Sequence, residues 1–295
     1  MYQNVYISRN KKSVEAHIWD DEVGYKKIIH KPYAYKKSPT GTYQSLYGDK
    51  LKKVNFWTQE EIDDGLIFES DVPVETRVLV DTYSESDEPS KGHKTLIFDI
   101  EVEVKDGFPD PLRADNKITS IAFLDEIIDK YYVLILGDLK NYQKDNKIVE
   151  SFKSEEELLQ RFYQKYLEIQ PTILSGWNIE FFDIPYLYNR TERVLGYQFA
   201  NSLSPIGKVH YIEHMKKYKI AGVSQLDYMA LYKLFTYTQQ SSYRLDYIGQ
   251  LEVGIGKVEY EGTLNDLYRD DKEKFIEYNL VDVKIVVELD KKMKF

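Results

Sequence analysis

Thr95-Leu96-Ile97-Phe98-Asp99-Ile100-Glu101-Val102 is an apolar, β-branched run carrying two carboxylates two residues apart. In a strand, successive side chains alternate between faces, so Asp99 and Glu101 project from the same side. Carboxylates that close repel and raise one another's pKa unless a cation or a donor neutralises them. No Lys or Arg falls within residues 95–103 to do this. The strand by itself leaves two readings open, a solvent-facing edge and a metal-binding face.

Working outward, Ile118 to Leu124 and Tyr131 to Leu136 read as two further strands, and the gap Asp125 to Lys130 permits a hairpin between them. Three consecutive strands suggest an antiparallel meander. Ser154 and Glu157 have capping-box spacing, and Leu158, Leu159, Phe162, Tyr163, Tyr166 and Leu167 follow at helical intervals until Pro171. Thr172 to Trp177 then reads as a fourth strand, parallel to its predecessor through a right-handed crossover. Three strands, a helix and a fourth strand outline an α/β, ribonuclease-H-like core with a mixed sheet. Residues 186–295 read mainly as surrounding helices, around Ser224 to Thr236, Ser242 to Leu251 and Lys272 to Lys294.

Upstream, Ser84 to His93 (SESDEPSKGH) has no apolar anchor and reads as a linker. It divides the chain into residues 1–90, a smaller β-rich N-terminal domain, and residues 91–295, the α/β domain. Asn4 to Ser8, Val14 to Asp20 and Tyr25 to Tyr35 are the candidate strands of the first. A length of 295 residues agrees with two domains.

Charged residues make up 30% and hydrophobic ones 42%, which excludes wholesale disorder. The longest apolar stretch, Tyr131 to Leu136, is far short of the roughly 20 residues of a membrane span. The first twelve residues lack the apolar core of a signal peptide. Without cysteine there are no disulfides or thiolate metal sites, and the five histidines lack zinc-binding spacing. A formal charge of -9 argues against binding nucleic acid by global electrostatics, although carboxylates holding divalent cations carry part of a protein's positive charge as metal. The 26 tyrosines, against 13 Phe and 3 Trp, suit wet packing or base stacking, and also ordinary core positions.

Three more residues bear on the acid pair. Asp183 follows the fourth strand and precedes Pro185, which suits a helix N-cap and equally a ligand site beyond the carboxyl end of a strand. Tyr278 and Asp282 are four apart on the last helix and share a face. That helix is apolar on both sides, so Asp282 is paired, metal-bound, or at a rim that reaches solvent.

Phe98-Asp99-Ile100-Glu101, then Trp177-Asn178-Ile179-Glu180-Phe181-Phe182-Asp183, then Tyr278-Asn279-Leu280-Val281-Asp282 resemble the three ordered exonuclease motifs of family B DNA polymerases, particularly those of tailed bacteriophages. Asp106-Gly107-Phe108-Pro109, Ser175-Gly176-Trp177-Asn178, Leu226-Asp227-Tyr228 and Ser242-Tyr243-Arg244-Leu245-Asp246-Tyr247-Ile248 agree in order and wording. Three separated motifs in sequence are far more specific than any one. The resemblance is strong over residues 94–295 and weak over 1–83. It implies a proofreading 3′ to 5′ exonuclease of the DEDD class, Tyr-containing subtype. It further implies that Asp99, Glu101 and Asp282 hold one Mg²⁺ or Mn²⁺, that Asp99 and Asp183 hold a second, and that Tyr278 positions the attacking water. Phe108 would stack on a frayed 3′ end and Asn178 would hydrogen-bond to it.

As partners the resemblance implies single-stranded DNA or a frayed primer 3′ end, a polymerase half in cis or as a separate chain, and a replisome clamp reached through that half. It implies no membrane, and action in the cytoplasm, the host cell's if the source is viral. The polymerase motifs, an Asp near Ser-Leu-Tyr-Pro-Ser and an Asp-Thr-Asp, are absent. The expectation is an exonuclease that does not polymerise alone, either a fragment or the first piece of a split polymerase. The alternative is a non-catalytic docking and template-binding subunit. An RNA-processing exonuclease on the same core would leave the N-terminal β domain unexplained.

Overall fold

The computed structural model describes residues 1–9, 14–105 and 107–295; Asp106, in one of the resembling segments, lies outside them. The chain forms two compact units, Met1–Gly92 and His93–Phe295.

In the first unit, β1 (Tyr2–Arg9), β2 (Val14–Asp20) and β3 (Gly24–His30) form an antiparallel sheet. Next come β4 (Ala34–Lys37), β5 (Tyr43–Gln44), β6 (Lys50–Val54) and β7 (Ile67–Phe68), which make a second sheet in the order β5-β6-β4-β7. The single run expected from Tyr25 to Tyr35 is therefore two strands in two sheets. Pro32 lies at the break, where the missing N–H cannot continue a ladder. Two helices, α1 (Gln59–Asp63) and α2 (Val74–Tyr83), complete the unit, and α2 packs Val78 on Val5, Ala16 and Ile18.

The second unit is built on β8 (Thr95–Val102), β9 (Ile118–Asp125) and β10 (Lys130–Leu136), the antiparallel meander read from the sequence. A hairpin of β11 (Tyr142–Lys144) and β12 (Lys147–Phe152) follows, with β12 parallel to β10. The sequence reading did not anticipate this hairpin, because β11 has only three residues and β12 interrupts its apolar residues with Lys147, Glu150 and Ser151. Helix α3 (Glu155–Ile169) starts where Ser154 Oγ accepts from the N–H of Glu157 at 3.2 Å. The chain then crosses to β13 (Ile173–Gly176), parallel to β8. After α4 (Asp183–Leu195) and α5 (Tyr197–Ala200) comes a ribbon of β14 (Val209–Ile212) and β15 (Lys217–Ile220).

Ser224 to Thr236, read as one helix, is instead a strand, β16 (Ser224–Asp227), followed by α6 (Tyr228–Phe235). The strand exists because β13 offers it a parallel edge, a long-range pairing that local periodicity does not report. Helices α7 (Leu245–Val253), α8 (Leu264–Asp270) and α9 (Lys272–Met293) close the chain; α7 begins three residues later than read, and α8 was not anticipated.

The resulting seven-stranded mixed sheet, ordered β11-β12-β10-β9-β8-β13-β16, has helices on both faces, as in a ribonuclease-H-like fold. The alternation of β8 assigns its faces. Leu96, Phe98, Ile100 and Val102 pack with α3 and α4 residues such as Phe162 and Ile184. Ile97 packs on the opposite side with Phe275, Ile276, Leu280 and Val283 of α9. Asp99 and Glu101 share the parity of Ile97, so the strand aims both carboxylates toward α9. Among the described residues no helix is long and apolar enough to cross a membrane.

Candidate active site

Helix α9 is buried along both sides, and Asp282 is 3% exposed. One carboxylate oxygen from each of Asp99, Glu101 and Asp282 lies within 4.8 Å of the others. The strand face and the helix face thus meet in an acidic cluster. Asp183, 4% exposed, stands outside that set but directs Oδ1 to the N–H of Ile100, between the two strand acids, at 3.1 Å. That N–H is free because β13 pairs with β8 only as far as Ile97. Asp183 is therefore the first residue of α4 and not its cap; the capping position belongs to Phe182.

The segment before Asp183 is tightly specified. A Cβ on Gly176 would stand 2.5 Å from the carbonyl oxygen of Phe98 and 2.5 Å from Ile179 Cγ2, so only glycine lets β13 approach β8 there. Asn178 is left-handed, at φ 64°, a conformation asparagine tolerates better than most residues. Its side chain is half-buried. Phe108 is 74% exposed, its ring centroid 5.3 Å from that of Phe182 in the same segment.

The structure adds groups that sequence reasoning missed. Lys257, in the segment between α7 and α8, ion-pairs with Asp282 and donates to the Tyr278 hydroxyl at 3.2 Å. It is a cation of the kind that residues 95–103 lack. Spacing could not reveal it: Lys257 follows Gly254-Ile255-Gly256, outside every motif that carries the resemblance. Asn279, fully buried, donates from Nδ2 to Asp99 Oδ2 at 2.7 Å and accepts from Ser120 Oγ at 2.6 Å. Ser120 sits opposite Glu101 across the β8–β9 ladder. This chain fixes how the Asp99 carboxylate is turned.

Electrostatics follow from the enclosure. Burial, then the charges of Asp183, Asp282 and Glu101, raises the pKa of Asp99 well above the usual range. Burial and the Asp282 charge push Glu101 up to about 8, and burial pushes Asp183 up to about 7 against the Ile100 N–H that favours its charge. Asp282 is also raised by burial, with Lys257 opposing. Burial works against the Lys257 ammonium, yet Asp282, Tyr278 and Asp99 outweigh it, so the charge is held more firmly than usual. Burial and the Glu101 charge raise the Tyr278 hydroxyl, so it stays protonated.

The donor set fits a hard divalent cation. The cluster is all carboxylate oxygen, and Oδ1 of buried Asp282 has no hydrogen-bond partner among the described residues. An oxygen left bare beside two other acids suits a metal ligand better than a core side chain.

A family model described as DNA polymerase family B, exonuclease domain, matches residues 67–248. That span includes Asp99, Glu101 and Asp183 and stops short of Lys257, Tyr278 and Asp282. The DNA-directed DNA polymerase of Escherichia phage RB69 is 37% identical over 228 residues, covering 67% of this chain and 25% of that protein. That of Enterobacteria phage T4 is 32% identical over 288 residues, covering 84% and 32% respectively. DNA polymerase 1 of Sulfurisphaera ohwakuensis is 32% identical over 278 residues, covering 88% and 28%. The chain spans about a quarter to a third of the length of these relatives. A family match over more than half the chain, taking in the strand and turn that carry three of the four carboxylates, shows that it belongs to the family B DNA polymerases through their exonuclease domain.

Proposed function

We propose that this chain is the 3′ to 5′ proofreading portion of a family B DNA polymerase and hydrolyses DNA 3′ ends to nucleoside 5′-monophosphates. The observation that carries this reading is the meeting of Asp99 and Glu101 on β8 with Asp282 on α9, three buried or half-buried acids whose repulsion Lys257 partly offsets. Proteins keep such clusters where chemistry needs them. Asp99, Glu101 and Asp282 would hold one Mg²⁺ or Mn²⁺, and Asp99 with Asp183 a second. When bound, the ions activate water and offset charge on the leaving 3′ oxygen.

The chain's own groups do the rest. The Asn279–Ser120 pair holds the Asp99 carboxylate in one orientation. Lys257 opposes the burial that raises Asp282, and its donation to Tyr278 leaves that hydroxyl's proton free to orient water. Exposed Phe108 offers a ring to an unpaired terminal base, and Asn178 a polar side chain to the same end. The substrate is single-stranded DNA or a frayed primer end, delivered by a polymerase portion in cis or as a separate chain. A clamp would be met through that portion, in the cytoplasm of the cell where replication takes place.

The test is a 5′-labelled oligonucleotide incubated with Mg²⁺ or with EDTA. A ladder of shortened labelled products in Mg²⁺ only is the expected result. A ladder that persists in EDTA, or loss of label from the 5′ end first, overturns it. Metal-independent binding without cleavage would favour a docking and template-binding subunit instead.

A further inference from the structure

Asp227 ends β16 and caps α6, with its Oδ1 accepting from the N–H groups of Met229 and Ala230 at 3.0 and 3.2 Å. A cap needs no more than this. Yet the same buried carboxylate also accepts from a segment 49 residues earlier: Oδ1 from the N–H of Asn178 at 3.1 Å, and Oδ2 from that of Glu180 at 3.2 Å. Four main-chain donors converge on one charge, two of them from the turn that leads into Asp183.

That turn is closed on itself by Phe181 and Phe182 N–H donating to the Asn178 carbonyl and Ile184 N–H to that of Ile179, with Trp177 Nε1 donating to the Tyr243 carbonyl. Asp227 ties its Asn178 and Glu180 N–H groups to the end of β16. The turn begins where Gly176 abuts the carbonyl of Phe98, passes through left-handed Asn178, and ends at Asp183 on the Ile100 N–H. Its first and last anchors are thus both on β8, either side of Asp99. Charge-assisted bonds to main-chain N–H are roughly twice as strong as neutral ones, and losing them would leave buried donors unpaired. Without them, the left-handed residue has less reason to stay so.

We propose that Asp227 is a positioning residue of the site. Through the main chain of Asn178 and Glu180 it fixes the turn that presents Asp183 to the acidic cluster and Asn178 to a DNA end. The inference rests on the metal-dependent reading above. Its carboxylate touches neither metal nor DNA; it acts through the geometry of residues that would.

The test uses the whole chain with Asp227→Ser, Asp227→Asn and, as a matched loss of a helix cap, Ser154→Ala. Serine still caps α6 but does not reach the turn; asparagine keeps one acceptor and loses the other. Two quantities are measured: amide hydrogen exchange of residues 177–183 in metal-free protein, and Mn²⁺ affinity by calorimetry. Asp227→Ser should speed exchange in that segment and weaken Mn²⁺ binding about tenfold or more, in the range seen when groups orienting metal ligands are lost. Asp227→Asn should lie between. Ser154→Ala should lose comparable thermal stability and change neither quantity. If the serine variant does not fold, the asparagine variant decides. Mn²⁺ affinity within twofold of the unaltered chain in both Asp227 variants overturns the inference alone. If the unaltered chain itself binds no Mn²⁺, the metal reading falls and this inference with it.

Discussion

Lys257 ion-pairs with Asp282 from 25 residues earlier in the chain, and that pair sets a cation against the cluster of acids. Breaking a buried pair from one side leaves an uncompensated charge costing roughly 3 to 5 kcal/mol, less when the orphan can take up a proton. Lys257→Met should therefore destabilise the metal-free chain by about 1 to 3 kcal/mol at pH 8 in urea unfolding. The deficit should shrink as pH falls, because burial favours the protonated form of an Asp282 that has lost its cation, and on adding Mn²⁺, which would replace that cation. Equal unfolding midpoints for both chains at pH 8 would show the pair to be incidental.

Stability of the metal-free protein should fall as pH rises. Glu101 is pushed up to about 8 and Asp183 up to about 7 from ordinary values of 4.5 and 3.8, so between these limits the folded state binds protons that the unfolded chain releases. Their stabilising contribution is complete below about pH 4 and is lost as pH passes through about 7 to 8. Metal affinity should strengthen over the same range, because ligands must shed protons first. Thermal midpoints from pH 5 to 9, in EDTA and in Mn²⁺, should diverge with rising pH. Glu101→Gln should flatten the EDTA curve; a curve already flat in the unaltered chain would contradict the electrostatics.

Tyr278→Phe should be milder than Asp282→Ala. Losing one orienting hydrogen bond should cost about 10- to 100-fold in single-turnover cleavage, whereas removing a ligand that can empty the site should cost more than about 1000-fold. Raising Mn²⁺ should recover part of the Asp282→Ala loss and none of the Tyr278→Phe loss. Matching losses that ignore metal concentration would contradict the division of roles.

Phe108→Ala should act on substrate and leave stability unchanged, since the ring is 74% exposed. A stacked base is worth about 1 to 3 kcal/mol, so KM for single-stranded ends should rise by roughly 5- to 100-fold with kcat little altered. The preference for single-stranded over paired 3′ ends should narrow, because stacking helps to offset the cost of melting a terminus. Initial rates on one oligonucleotide alone, fully paired, and with three mismatched terminal bases would report this. An unchanged KM would make Phe108 a loop-packing residue held by Phe182.

Much of the core was legible locally. The meander of β8, β9 and β10 follows from short apolar runs, and α3 from a helical stripe closed off by Pro171. Where local reading failed, a distant partner decided the outcome. Ser224–Asp227 is a strand only because β13 lies beside it, and the hairpin β11–β12 is held by its parallel pairing to β10.

By itself the sequence determined that Asp99 and Glu101 share a face, that Tyr278 and Asp282 share another, and which family those motifs belong to. These follow from backbone periodicity and from order along the chain, which need no knowledge of neighbours. Only the tertiary structure decided what stands opposite them: Lys257 against Asp282, Asn279 against Asp99, Asp227 beneath the turn before Asp183. Lys257 comes from a segment with no periodic signal, and the periodicity around Asn279 and Asp227 does not name what they face; the need for these partners arises only on burial, when removing water leaves each charge and each main-chain N–H to find a counterpart inside the protein.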